Sequence, residues 1–341
     1  MKRVPKSTVE LTKADFASDQ MVKWCPGCGD HAILASVLSV FPKVGHKKDN
    51  YCVVSGIGCS SRFPYYVNTY GFHSIHGRAN AIASGVKIAN PQLSVWVATG
   101  DGDSMAIGGN HFIHAIRRNL DMNIMLFNNE IYGLTKGQYS PTTKMGKITK
   151  TSPFGTIDHP FIPGELVIGA QGTFFARSYD MNIKLMTDVF EKAAEHDGAS
   201  VVEILQNCVI FNDKTHKDIT DKEVRDDRTI ILEHGKPMIF GKDRNKGLRL
   251  NGTSLEVVTI GENGITESDL LVHDAFEKNT GVHMMLAKMS YPEFPVAFGV
   301  IRSVKESTYN DLYEEQMAEQ QANGKIKCMD DLLNSGATFE M

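Results

Sequence analysis

Long apolar runs are missing from this sequence. No stretch reaches the roughly 18 residues of a membrane-spanning helix, so no membrane insertion is expected. An excess of one charge is missing too: 36 Lys and Arg stand against 40 Asp and Glu, a formal charge of -4. That balance carries neither the basic footprint of a nucleic-acid binder nor a polybasic membrane anchor. Cysteine is sparse, six in 341 residues, too few for a disulfide scaffold. The first residues, MKRVPKSTVELTKADF, are basic at the start but have no apolar h-region. No secretory signal is therefore expected, and the expected compartment is the reducing cytoplasm, where clustered Cys bind metal or catalyse. Repeats and low-complexity blocks are also absent. What is present is an ordinary globular composition, 42% hydrophobic with 30 Gly, in a chain long enough for a large core.

Short β-rich runs alternate with helical patterns. YCVVS (51–55), LSVWVAT (93–99), NIMLFNN (123–129), TFFAR (173–177) and SVVEIL (200–205) read as strands. Between them DHAILASVLSVF (30–41, with Asp30 as N-cap), GRANAIASGVKIAN (77–90), GGNHFIHAIRRN (108–119) and IKLMTDVFEKAAEH (183–196) read as helices. Strands apolar on both faces and separated by helices predict a doubly wound, mostly parallel α/β sheet. Residues 1–24 read as an N-terminal arm, 25–215 as the main binding domain, and 216–341 as a C-terminal extension packed on it. The charged, Gly-spotted stretch 211–262 reads as an excursion off the main sheet with a hairpin. ITESDLLVHDAFEKN (265–279) reads as a helix, FPVAFGVI (294–301) as a strand and TYNDLYEEQMAEQQANG (308–324) as a polar helix.

Two strand ends carry hard oxygen ligands. LSVWVAT runs into Gly100-Asp101-Gly102-Asp103, and NIMLFNN ends at Asn128-Asn129. In a doubly wound sheet both turns fall at the carboxyl edge, where ligands bind. The glycines permit tight turning and close backbone approach, and the following helix offers free N–H groups to an anion. A carboxylate and an amide oxygen suit octahedral Mg²⁺, which completes its shell with water and phosphate oxygens. The pair reads as a site for Mg²⁺ and a diphosphate.

The cysteines are distributed unevenly. Cys25 and Cys28 form a C-x2-C turn with Pro26 and Gly27 between them, Cys59 follows SGIG, and Cys208 follows SVVEIL. The turn lies before any strand, unlike a thioredoxin-type pair. Strand ends distant in sequence converge in space, so these four thiolates can form a Cys₄ site, for Zn²⁺ or a [4Fe–4S] cluster by chemistry alone. Cys52, inside a strand, reads as core.

GDGD followed by FNN resembles the thiamin diphosphate motif. The wider string GDGDSMAIGGNHFIHAIRRNLDMNIMLFNNEIYGLTKGQYSPT, with CPGCGDH, SGIGCSSR, HSIHGRA and EILQNC, resembles the β subunit of 2-oxoacid:ferredoxin oxidoreductases of the 2-oxoglutarate type, over about residues 20–215. The resemblance implies Mg²⁺ on Asp101, Asn129 and the Ile131 carbonyl. It implies thiamin diphosphate contacts on Ile57, Gly58, Cys59, Ser60, His76, Gly77, Gly102, Asp103, Gly133 and Leu134, and one [4Fe–4S] cluster on Cys25, Cys28, Cys59 and Cys208. The implied reaction is coenzyme A-dependent oxidative decarboxylation of 2-oxoglutarate to succinyl-CoA and CO₂, with electrons leaving through the cluster to ferredoxin. Arg62, whose fork suits a carboxylate, is the expected reader of the distal substrate carboxylate. Lys136 is expected to pair with a substrate carboxylate or a coenzyme A phosphate, and His76 to stand at the coenzyme. No carboxylate for deprotonating the thiazolium is evident here; the resemblance assigns it to a partner α subunit in an (αβ)₂ assembly. The alternatives are the same chemistry on pyruvate or other 2-oxo acids, a non-redox thiamin diphosphate lyase or transferase, and a structural zinc protein.

Overall fold

The computed structural model describes residues 4–339. Among them the strands are β1 (Tyr51–Ser55), β2 (Tyr70–His73), β3 (Ser94–Gly100), β4 (Met122–Asn128), β5 (Phe174–Tyr179), β6 (Ala199–Leu205), β7 (Thr229–Leu232), β8 (Ile239–Phe240), β9 (Lys246–Asn251), β10 (Ser254–Thr259) and β11 (Val296–Ser303). Eight form one sheet, in the order β2-β1-β3-β4-β6-β5-β11-β7. Neighbours run parallel except β5 with β11.

The continuous apolar strands follow from having a core on each face. Successive side chains point to opposite sides of a strand. Val53, Trp96, Met125, Phe127 and Phe174 enter one core beneath the helices Asp30–Val44 and Ile183–Glu195. Their neighbours Val54, Val97, Leu126 and Phe175 enter the other, beneath Ala79–Ala89, Gly109–Arg117, Pro163–Gly169 and Gly281–Lys288. Each fully buried large side chain contributes about 1.5–3 kcal/mol, so the sheet centre is the most strongly held part of the molecule. It is the platform on which the strand-end turns stand. Among the described residues no helix is long and apolar enough to cross a membrane.

Three expectations need correction. Asp30 is not the N-cap but the first residue of its helix; Gly29 holds the cap position, and the helix continues through Pro42 to Val44. The N–H groups of Ala32 and Ile33 already bond the Gly29 carbonyl, so the Cys25–Cys28 turn feeds straight into the helix. Residues 265–279 are not helical beyond the short turn Glu267–Asp269. The Leu271 and His273 N–H groups donate instead to Leu248 and Lys236 (2.8 and 2.9 Å), and this extended pairing overrides local helix propensity. Residues 211–262 do leave the main sheet to form the three-stranded sheet β10-β9-β8, but β7 returns to it. With β11, two strands of the stretch 216–341 therefore belong to the main sheet itself.

Candidate active site

β1, β3, β4 and β6 are adjacent and parallel, so the turns leaving their carboxyl ends meet at one edge. These turns enclose a cavity of about 410 Å³. Ile57, Gly58, Cys59 and Ser60 form one side, Gly100–Asp103 a second, and Asn129 with Ile131–Leu134 a third, with His76 at the rim. The sequence reading placed most of these residues together, and the fold brings them together.

Asp103 organises the cavity. Its carboxylate is buried and accepts from the Ile57 N–H (3.0 Å), the Gly77 N–H (2.7 Å), His76 Nδ1 (2.8 Å) and the Thr99 hydroxyl (2.7 Å). One side chain thus ties two separate loops to β3. The close approach depends on glycine: a Cβ on Gly56 would stand 2.0 Å from Asp103 Oδ2. Gly77, which has φ +72, would place a Cβ 2.6 Å from the Gly108 nitrogen. Gly77 therefore shapes the site through Asp103 and is not among the lining residues. Gly102 makes room for Tyr132, since its Cβ would lie 2.3 Å from the ring; the Tyr132 hydroxyl donates to the Gly102 carbonyl at 3.0 Å.

Asp101 and Asn129 both line the cavity. Asp101 Oδ2 accepts from the Ser140 and Thr142 hydroxyls (2.5 and 2.6 Å). Burial raises its pKa above the usual carboxylate range, and the two hydroxyls offset this only in part. A desolvated carboxylate balanced only by neutral donors is where a divalent cation gains most. Asn129 Oδ1 accepts from the Ile131 N–H at 3.1 Å, and its Nδ2 donates to Gln206 Oε1 at 2.8 Å. Asn128 faces the other way, donating to Glu203 at 2.8 Å. One carboxylate, one amide oxygen and one backbone carbonyl beside an anion-sized cavity fit the coordination habit of Mg²⁺ with a diphosphate.

The four cysteines belong to one corner. The Trp24 indole N–H donates to the Cys59 carbonyl (2.7 Å), and the Gly29 N–H to the Asn207 carbonyl (3.2 Å). The C-x2-C turn is thereby pinned to the turns carrying Cys59 and Cys208. A Cβ on Gly133 would lie 3.4 Å from Cys208 Sγ and 3.6 Å from Cys59 Sγ, so both sulfurs abut the cavity wall. Burial pushes the Cys59 thiol up to about 12 and raises Cys28 as well, with further upward pushes from Asp30 and the neighbouring sulfurs. Among the described residues no three Cys, His, Asp or Glu side chains sit at single-ion spacing. Four cysteine sulfurs near enough to influence one another are a donor set that suits a [4Fe–4S] cluster by its chemistry.

Two expected residues stand apart. Arg62 is half-buried on the turn after Cys59, and Lys136 is exposed at a left-handed φ of 78; neither lines the cavity. The sequence reading also missed residues. Glu130, between two expected Mg²⁺ ligands, is pushed up to about 7 by burial. His216 is buried behind the same wall, and Gln206 touches both corners. EILQNC contained Gln206, but a glutamine carries no chemistry that spacing alone reveals.

Comparison with known proteins agrees with this geometry. The family of the thiamine pyrophosphate enzyme C-terminal TPP-binding domain matches residues 56–204. The 2-oxoglutarate oxidoreductase subunit KorB of Mycobacterium tuberculosis is 47% identical over 315 residues, 92% of this chain and 84% of that one. The chain belongs to the β-subunit family of 2-oxoacid:ferredoxin oxidoreductases. Subunit beta of 2-oxoacid:ferredoxin oxidoreductase 1 from Aeropyrum pernix is 43% identical over 200 residues, 59% of this chain and 63% of that relative. A solved 2-oxoglutarate:ferredoxin oxidoreductase from Magnetococcus marinus, with 2-oxoglutarate, coenzyme A and succinyl-CoA bound, superimposes with a TM-score of 0.77 at 29% identity. That match covers 98% of this chain and 99% of the other. Membership in this family fixes the fold class as thiamin diphosphate-binding α/β, and implies a separate α subunit as partner.

Proposed function

We propose that this chain is the β subunit of a 2-oxoglutarate:ferredoxin oxidoreductase, carrying thiamin diphosphate with Mg²⁺ and one [4Fe–4S] cluster. One observation carries the reading. Cys59 lines the coenzyme cavity and is also one of the four clustered cysteines, so the two cofactor positions share a wall. A non-redox thiamin diphosphate enzyme has no use for that junction.

When bound, the coenzyme supplies the electron sink for decarboxylating a 2-oxo acid, and the cluster supplies a one-electron store. The protein's part is to position and to exclude. Asp101, Asn129 Oδ1 and the Ile131 carbonyl would hold Mg²⁺ against the diphosphate. Cys25, Cys28, Cys59 and Cys208 would hold the cluster. Asp103 fixes the loops of Ile57 and Gly77 and accepts from His76 Nδ1. That hydrogen bond leaves His76 Nε2 to accept or return a proton at the cavity rim. Tyr132 and Leu134 supply the apolar part of the wall.

Arg62 and Lys136 would act where the α subunit closes the site, Arg62 on the distal carboxylate of 2-oxoglutarate and Lys136 on coenzyme A or substrate. Residues 25–215 would carry both cofactors, with the arm 1–24 and the extension 216–341 supporting them. Reduced ferredoxin is the expected electron carrier and the cytoplasm the expected compartment.

The test is anaerobic co-expression with the α partner, followed by iron, acid-labile sulfide and thiamin diphosphate analysis. A viologen assay with 2-oxoglutarate and coenzyme A completes it. Brown protein that retains the coenzyme and reduces the dye only with both substrates is expected. Colourless protein, or dye reduction with pyruvate alone, overturns the assignment. Arg62→Ala should raise KM for 2-oxoglutarate about tenfold or more, as loss of a bidentate charged contact implies, and leave any pyruvate activity unchanged.

A further inference from the structure

A single buried side chain touches both halves of the site. Gln206, the first residue after β6, is 1% exposed. Its Nε2 donates to Cys28 Sγ at 3.2 Å and to the Asn207 carbonyl at 2.7 Å. Its Oε1 accepts from Asn129 Nδ2 at 2.8 Å, and its backbone N–H donates to the Asn128 carbonyl at 2.9 Å.

An amide's orientation is decided by its partners, and here they leave one choice. The Ile131 N–H donates to Asn129 Oδ1 at 3.1 Å, so Asn129 turns its NH₂ towards Gln206. Gln206 must meet that NH₂ with its oxygen. Both of its own N–H bonds then face acceptors, the Cys28 sulfur and the Asn207 carbonyl. Turning Gln206 over would set two NH₂ groups against each other and its oxygen against a sulfur and a carbonyl. At a buried position no water relieves such a mismatch, which costs about 1–3 kcal/mol for each unsatisfied group. A backbone N–H beside one cofactor position thus dictates where a side-chain N–H points at the other.

We infer that Gln206 is a positioning residue that sets the reduction potential of the cluster through its N–H···S bond to Cys28, while locking Asn129 in its Mg²⁺-facing orientation. The inference rests on the cluster and coenzyme assignments above. Adding one electron to the cluster raises the negative charge on its thiolates. A donor aimed at sulfur stabilises the reduced form more than the oxidised form, and hydrogen bonds to sulfur are among the determinants of cluster potential. Asp30 and Asp180 lie behind Cys28, and Arg62 beside Cys59. These charges stay in place when Gln206 is replaced, so the difference between wild type and Gln206→Met reports the amide alone.

Two substitutions separate the two contacts. Gln206→Met keeps the volume and loses both. Gln206→Glu keeps an acceptor for Asn129 Nδ2 but loses the donor for Cys28 and adds negative charge beside it. The complete αβ complex is purified anaerobically. Iron content, the cluster midpoint by electron paramagnetic resonance titration, and Mg²⁺-dependent thiamin diphosphate affinity are then measured.

Both variants should keep wild-type iron. In Gln206→Met the reduced-to-oxidised ratio at fixed potential should fall about tenfold, about 59 mV for one electron, and coenzyme affinity should weaken several-fold. In Gln206→Glu the midpoint should fall at least as far while coenzyme affinity stays close to wild type. Unchanged midpoints in both variants overturn the proposal. So does loss of iron from both, since the residue would then serve cluster assembly rather than tuning. A wild-type complex without iron would remove the cluster assignment itself, and this proposal with it.

Discussion

The oxygen wall and the sulfur wall of the cavity are built on opposite plans. On the oxygen wall the protein meets its own hydrogen-bonding demands: Asp103 accepts from four donors, Asp101 from two hydroxyls, and Asn129 is engaged at both ends of its amide. On the sulfur wall Cys25 is exposed, and Cys28 and Cys59 are half-buried thiols raised by burial. Behind them the buried Asp30 carboxyl is pushed up to about 7 by desolvation. A preorganised wall suits a coenzyme that docks on finished surfaces. The other would be completed by the proposed cluster, because a coordinating metal removes the thiol protons that burial otherwise retains.

The difference predicts that the walls fail separately. The largest effect should come from Cys25→Ala. Iron content and viologen reduction should be lost, while thiamin diphosphate affinity stays within about threefold, because Cys25 does not line the cavity. Parallel loss of coenzyme binding would break the distinction. Asp101→Asn is the converse. The amide oxygen can still accept from Ser140 and Thr142, so the fold should survive. Loss of the charge should weaken Mg²⁺-dependent coenzyme binding by about 100-fold or more, with iron unchanged; calorimetry and iron analysis on one preparation decide it.

A smaller effect is expected from Gly102→Ala. The new methyl would press on the Tyr132 ring, 2.3 Å from its nearest atom. Displacing a packed ring costs about 1–3 kcal/mol, hence roughly 10- to 100-fold in coenzyme affinity. Adding Tyr132→Leu should recover part of that loss. If the double variant binds no better than Gly102→Ala, the ring is not what the glycine accommodates.

The same contrast explains what the sequence disclosed. Strands buried on both faces announce themselves as unbroken apolar runs, so β1, β3, β4, β5 and β6 were legible, and their ends located Asp101, Asn129, Cys59 and Cys208. Glycine-rich turns at those ends supplied the cavity's outline. Side chains that act through other side chains were not legible. Nothing in GDGD says that Asp103 binds two loops to β3, and nothing in EILQNC says that Gln206 spans both walls. Residues 265–279 misled for a related reason: their helical spacing is local, whereas the bonds from Leu271 and His273 to Leu248 and Lys236 are tertiary. Arg62 and Lys136 were chosen for charge and neighbourhood, and neither property places a long side chain inside this chain's cavity.

The last way to probe the oxygen wall is from behind. His216 Nε2 lies 3.1 Å from the Asn128 carbonyl, and burial lowers its pKa to about 4. In the unfolded chain the same imidazole titrates near 6.5. Between these values the unfolded state binds more protons, so the contribution of His216 to stability is complete above about 6.5 and is lost as pH falls through about 4. Glu130, raised to about 7 by burial, has the opposite sign. Its burial costs stability as pH climbs from the ordinary carboxylate range, near 4.3, towards 7. The two groups stand 3.8 Å apart and partly cancel, which should flatten the pH profile of the uncomplexed chain. His216→Gln removes one sign only. Its stability should therefore decline from about pH 5 to about pH 7.5, and the advantage of wild type should be about 2 kcal/mol smaller at the acid end. Denaturant unfolding of both proteins at the two pH values measures this directly. A difference that does not change with pH would mean that water reaches His216, and that the wall holding Asp101 and Asn129 is not sealed from the rear.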